Sequence, residues 1–152
     1  MMLPYDALGS AEKALEERVI DTGQWHHQIY VGDDPVSFAR SVEKSNAGEP
    51  RHEVVEVSQS PLPTALRKTI DWVDANLPKE GTADVLLIPA YALAALWIHG
   101  DGQDFVVIAA RAPKLRMLPL NRAIPAADFV RRLAENKPIE GMGPVPGADD
   151  AR

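Results

Sequence analysis

The sequence predicts an α+β domain, a two-layer sandwich of helices packed on one face of a mostly antiparallel five-stranded sheet; a mixed α/β sheet is the alternative. Three observations predict it. Two segments alternate apolar and polar residues with the period of a half-exposed strand, and three others open on a cap or proline and continue at helical spacing. Two apolar runs also flank Gly100-Asp101-Gly102, a strong short-range hairpin signal because Asp-Gly tolerates positive φ.

Taken in order, a first helix is expected after Ser10, an N-cap, with Ala11, Leu15 and Val19 on one stripe that ends before Gly23. Residues Trp25 to Val31 read as a strand, with Trp25, His27, Ile29 and Val31 on one face and His26, Gln28 and Tyr30 on the other. Asp34-Pro35 then reads as a cap followed by proline at the first helical position. Phe38 and Val42 would form the short apolar face of that helix, which stops at Asn46-Ala47-Gly48. Arg51 to Ser58 alternates again and predicts a second half-exposed strand.

Ser60-Pro61 repeats the helix-start signal, and Leu62, Leu66, Ile70, Val73 and Leu77 follow on one helical face up to Pro78. Asp84 to Ile88 is an apolar run of strand length that Pro89 ends. Strands are expected at about 92 to 99 and 104 to 110, although Ala92 to Leu96 also has helical propensity. Pro125 opens a last helix with Ala126, Phe129, Val130 and Leu133 as its apolar face. The three apolar strands would occupy the middle of the sheet and the two alternating ones its margins.

The chain has 152 residues, 45% of them hydrophobic and 25% charged, the balance of one globular domain, expected over residues 1–136. The proline- and glycine-rich stretch 137–152 is expected to be a flexible tail. There is no cysteine, which excludes disulfides, thiolate nucleophiles and iron–sulfur ligation. No signal-peptide pattern or spanning apolar window is present, so a cytoplasmic protein without membrane contact is expected. The net charge of −6 is uneven. Residues 1–104 hold 8 basic and 17 acidic side chains, whereas residues 105–132 hold six cations against Asp128 alone.

The segment Ile88-Pro-Ala-Tyr-Ala-Leu-Ala-Ala-Leu-Trp-Ile-His-Gly100 resembles bacterial proteins of unknown function in which an Ile-Pro-Ala stretch leads through Ala-Leu-Trp into a tight hairpin. The resemblance covers about residues 84–110. It implies the hairpin and no activity, cofactor or site.

Candidate site residues are few. His27 and His99 are the acid/base candidates, His99 because it ends a predicted strand beside Asp101, yet no nucleophile motif accompanies either. Ser10-Ala-Glu-Lys13 matches S-x-x-K literally, and a helix cap followed by an exposed lysine is the commoner meaning. His26 and His27 point to opposite strand faces and no fixed-spacing metal motif occurs, so neither metal nor cofactor is expected. Arg111, Lys114 and Arg116 lead the basic segment and are candidates for binding an anion or a partner, with charge neutralisation inside the molecule as the alternative. That segment lacks stacking aromatics, which argues against nucleic acid. Trp72, between Asp71 and Asp74 beside the apolar stripe of its helix, is the preferred exposed aromatic. The sequence thus leads to a non-catalytic binding or interaction module, with a protein partner or self-association through an exposed sheet face or edge. The alternative is a small enzyme or small-molecule binder with a pocket between helices and sheet that uses His27 or His99.

Overall fold

A computed structural model describes residues 1–2, 15, 19–58, 61–100 and 102–136, with Asn46 and Ser58 described in their backbone only. The strands are β1 Gln24–Val31, β2 Asp34–Asn46, β3 Glu49–Ser58, β4 Thr82–Ile88, β5 Leu93–His99, β6 Phe105–Ala110 and β7 Ala123–Pro125. The helices are α1 Leu62–Asn76 and α2 Ala126–Ala134. The class is α+β, as the alternation and the proline-opened helices predict.

The single five-stranded sheet is replaced by two antiparallel sheets, a three-stranded one ordered β1-β2-β3 and a four-stranded one ordered β4-β5-β6-β7. Within the four-stranded sheet β5 and β6 are interior. β4 has β5 on one side and is bridged on the other by Met1 and Met2, Met2 pairing with Leu87.

The helix predicted over residues 35–46 is instead the long strand β2, and the reason is arithmetic. Phe38 and Val42 stand four apart, an even spacing that lands on one face of a strand as readily as on one face of a helix. Gly32 and Asp33 form the β1–β2 turn, Gly32 at φ +61°, and Ala47 and Gly48 form the β2–β3 turn, with φ of +54° and +86°. Both are short positive-φ loops of the kind hairpins select, so Ala47-Gly48 closes a hairpin rather than a helix.

Helices do not share one face of the main sheet. Trp97, Ala95, Val106 and Ile108 point to the side covered by α2, where Phe129, Val130 and Leu133 complete the main core with Tyr91, Leu115 and Leu118. Leu96 and Ala109 point the other way and meet Leu66 of α1, with Leu62, Val73, Val85 and Ile98 around them. The predicted α1 stripe holds at Leu62, Leu66 and Val73. Thr69 takes the buried slot next to it, where its hydroxyl meets Ala65 O at 3.0 Å and Asn121 Oδ1 at 2.7 Å, and Ile70 lies partly in solvent. All four predicted α2 positions, Ala126, Phe129, Val130 and Leu133, are buried. Tyr91 adds a tie, its hydroxyl donating to Leu133 O at 3.2 Å and Asn136 O at 2.8 Å.

The other flank of α1 carries the three-stranded sheet. Gln28 Nε2 donates to Pro63 O at 3.0 Å, and Arg67 sits 5.9 Å over the Tyr30 ring. Of the first predicted helix, Leu15 and residues 19–22 fall among the described residues; Leu15 and Val19 pack into the main core, but residues 19–22 are not helical, and Ile20 pairs with Met2 in an antiparallel bridge instead. The predicted tail lies outside the described residues.

Candidate functional site

Strand pairing decides what the outer face of the three-stranded sheet presents. Trp25 pairs with Ser41 and Ser41 with Val54; His27 pairs with Ala39 and Ala39 with Val57; Ile29 pairs with Ser37. Side chains directly opposite one another share a face, so these residues form one surface. Its central strand bears only small side chains, Ser37, Ala39 and Ser41, all buried between taller neighbours. The flanking strands stand proud, with Trp25 56% exposed, Val54 59% and Val57 64%. A row of small groups thus runs between two taller ridges, Trp25, His27 and Ile29 on one side and Val54 and Val57 on the other.

His27 lies in this face and its Nε2 is 2.7 Å from Ser41 Oγ. A histidine beside a serine invites comparison with a nucleophile and its base. Ser41 is 1% exposed, however, and no third group orients the ring or could stabilise an oxyanion among the described contacts. The pair satisfies a buried hydroxyl. His52 meets Trp25 edge-on at 6.1 Å and closes one end of the surface.

The opposite face of this sheet turns toward α1. There His26 stacks on Phe38 with ring centroids 5.9 Å apart, and loss of hydration, helped by Arg40, pushes its pKa down to about 4. Arg40 itself pairs with Glu56 across to β3 and with Gln24 on β1.

A second concavity, a cleft of about 530 Å³, lies where the C-terminal end of α1 approaches the β5–β6 hairpin. Its lining includes Leu77, Pro78 and Glu80 from the α1–β4 connection and Ile98, Gln103 and Phe105 from the hairpin. Gly81 makes the close approach possible. A Cβ there would lie 2.7 Å from His99 O, and φ is +117°. His99 borders this cleft, but alternation along β5 sends its ring to the other face. The ring stacks on Trp97 at 4.0 Å and Nε2 meets Asp84 Oδ2 at 2.6 Å. Its bonds serve the main core rather than the cleft. Asp101 lies outside the described residues.

No family model, curated protein or solved structure matches this chain. Function therefore rests on its own geometry.

The remaining predicted residues separate. Arg111 Nε donates to Leu118 O at 2.6 Å, which makes it a loop tie, and Arg131 and Arg132 both pair with Asp128. Arg116 is exposed in the loop after Lys114. Of the six cations of this region, Arg111, Arg131 and Arg132 are thus engaged within the molecule. Trp72 is half-buried, while Trp25 is the exposed indole. Sequence reasoning placed Trp25, His27 and Ile29 on one face but missed the middle strand beside them. The loop glycines Gly32 and Gly48 were the signal that could have supplied it. Among the described residues no three His, Asp or Glu side chains cluster as metal ligands, and no helix is long and apolar enough to cross a membrane.

Proposed function

We propose that this protein is a non-catalytic self-association module and that the outer face of β1–β3 docks against the same face of a second copy. One observation supports the reading: on that face the small buried side chains of Ser37, Ala39 and Ser41 run between exposed Trp25, His27 and Ile29 on one side and Val54 and Val57 on the other, a relief suited to pairing with a second copy of itself. Rotated about a two-fold axis, the ridge of Trp25 and Ile29 on one copy enters the trough of Ser37, Ala39 and Ser41 on the other, and the reverse holds at the same time. Such isologous pairing is the usual geometry of homodimers, and aligned sheets stack about 10 Å apart with interdigitated side chains. Trp25, Ile29, Val54 and Val57 place exposed apolar surface on this face, and an exposed apolar patch is the usual mark of an association site.

Face contact is favoured over edge contact. Along β3 the edge carries Pro50, Arg51 and Glu53, with Glu53 paired to Lys44, and the β1–β2 ladder is interrupted between Ile29 and Tyr30. Proline, charge and bulges are devices that discourage strand addition.

Light scattering on the size-fractionated full chain tests the proposal. The wild type is expected to shift from monomer to dimer with concentration, and Val57→Lys to remain monomeric with an unchanged circular dichroism spectrum. A wild type that stays monomeric up to about 1 mM, where association would be worth only ~4 kcal/mol, overturns it. So does a Val57→Lys variant that dimerises like the wild type.

A further inference from the structure

We infer that the cleft between the end of α1 and the β5–β6 hairpin binds a small organic cation, an ammonium group carried on an apolar body. This site is separate from the docking face and does not depend on it. Three observations converge on that chemistry. The first is the floor: Leu77, Ile98 and Phe105 line the cleft and each is only half-buried, so apolar surface including an aromatic ring stays open to an occupant. At about 530 Å³ the space falls in the ordinary range for small-molecule sites.

The second is the electrostatic sign. The cleft sits at the C-terminal, negative end of the α1 dipole, and α1 has no basic residue in its last turn to offset it. Glu80 adds a carboxylate at the rim, and Asp74 lies in the last turn itself. Among the described residues no lysine or arginine lines the cleft; Lys79 is exposed on the same connection, between Pro78 and Glu80. The basic segment starts at Arg111, beyond the far end of β6 from Phe105, about 20 Å away at ~3.3 Å per residue.

The third is complementarity of shape with charge. An ammonium group near Glu80 and the helix end leaves its hydrocarbon body over Phe105 and Ile98, where the ring face also attracts a cation. A carboxylate in the same place meets the helix end and Glu80 with the wrong sign. Gln103 supplies an amide that can accept a hydrogen bond from the ammonium group.

The probe is n-hexylammonium, with hexanoate and 1-hexanol as the anionic and neutral counterparts of similar length, titrated into the ¹⁵N-labelled full chain at neutral pH. The amide signals of Gly81, Gly100, Gly102 and Gln103 are followed. Hexylammonium is expected to shift them saturably and to bind about tenfold more tightly than hexanoate, with hexanol between them. Glu80→Gln, a substitution at an exposed position, is expected to cut the preference for the cation about threefold without altering the fold. Equal binding of hexylammonium and hexanoate overturns the inference. Saturable shifts that map away from these four residues, or no saturable shift at all, also overturn it. Since these residues lie in the connections that flank β4, β5 and β6, away from the outer face of β1–β3, the result is independent of whether that face dimerises.

Discussion

The two sheets are made of the same kind of strand pairing and differ in what covers them. In β5 the residues Leu93 to Trp97 are buried without a break, because α2 covers one face of the sheet and α1 the other. In β1 half-buried and exposed residues alternate up to Gln28 and exposure continues after it: Gln28 faces α1, where it meets Pro63, whereas Trp25 and Ile29 face away and stand exposed. A continuous apolar run and an alternating one therefore report the number of covered faces, not the position of a strand within one sheet. On the reading proposed above, the four-stranded sheet supplies stability and the three-stranded sheet presents apolar surface to a second copy.

The largest test of this contrast compares two tryptophans. Trp97 is 1% exposed within the main core, and Trp97→Ala is expected to cost about 3–5 kcal/mol in urea unfolding. Trp25→Ala, measured at a concentration where the chain is monomeric, is expected to cost less than about 1 kcal/mol while abolishing concentration-dependent association. Equal costs would break the comparison, since they would show Trp25 already packed in the monomer.

A middle-sized effect comes from the inner face of the three-stranded sheet. His26 stays neutral in the folded chain down to about pH 4, whereas the unfolded chain takes up a proton near its ordinary value of 6.5. Between those limits the unfolded state binds more protons, so stability falls as pH is lowered through that window. Allowing for partial exposure of the ring, the loss is about 1–2 kcal/mol, read as a drop in melting temperature from pH 6.5 to 4. His26→Phe is expected to flatten that dependence, and an unchanged slope would show that other groups set it.

The smallest effect is expected at the rim. Lys44 and Glu53 pair across β2 and β3 at 2.5 Å with both side chains more than half exposed, and Lys44→Ala should change stability by no more than about 0.5 kcal/mol. A larger loss would mean that this part of the sheet is more enclosed than its exposure shows.

How much of this was legible in the sequence follows from which signals are local. Helix α2 and the β5–β6 pair were readable because proline, Asp-Gly and apolar spacing each point to one structure. Strand β2 was not, since Phe38 and Val42 fit two periodicities and Asp34-Pro35 resembles a helix start. The division into two sheets was invisible for a different reason: alternation tells which face of a strand is wet, but not which strands share a ladder. The docking face was half legible, its β1 ridge being read and its trough missed with β2. The cleft was not legible at all, because it forms only when Gly81 brings residues near 80 against residues near 100.

Every strand in both sheets pairs with a neighbour next to it in the chain, in the orders β1-β2-β3 and β4-β5-β6-β7. Such meanders close short loops and need few distant segments to meet, a topology associated with rapid folding. On the ribosome the consequence is an order of events. The first meander is complete once Ser58 has emerged, but α1, which covers its inner face, ends only at Asn76. For that interval the inner face of the nascent hairpins lacks α1, and the charged and proline-bearing β3 margin discourages pairing with a neighbouring chain.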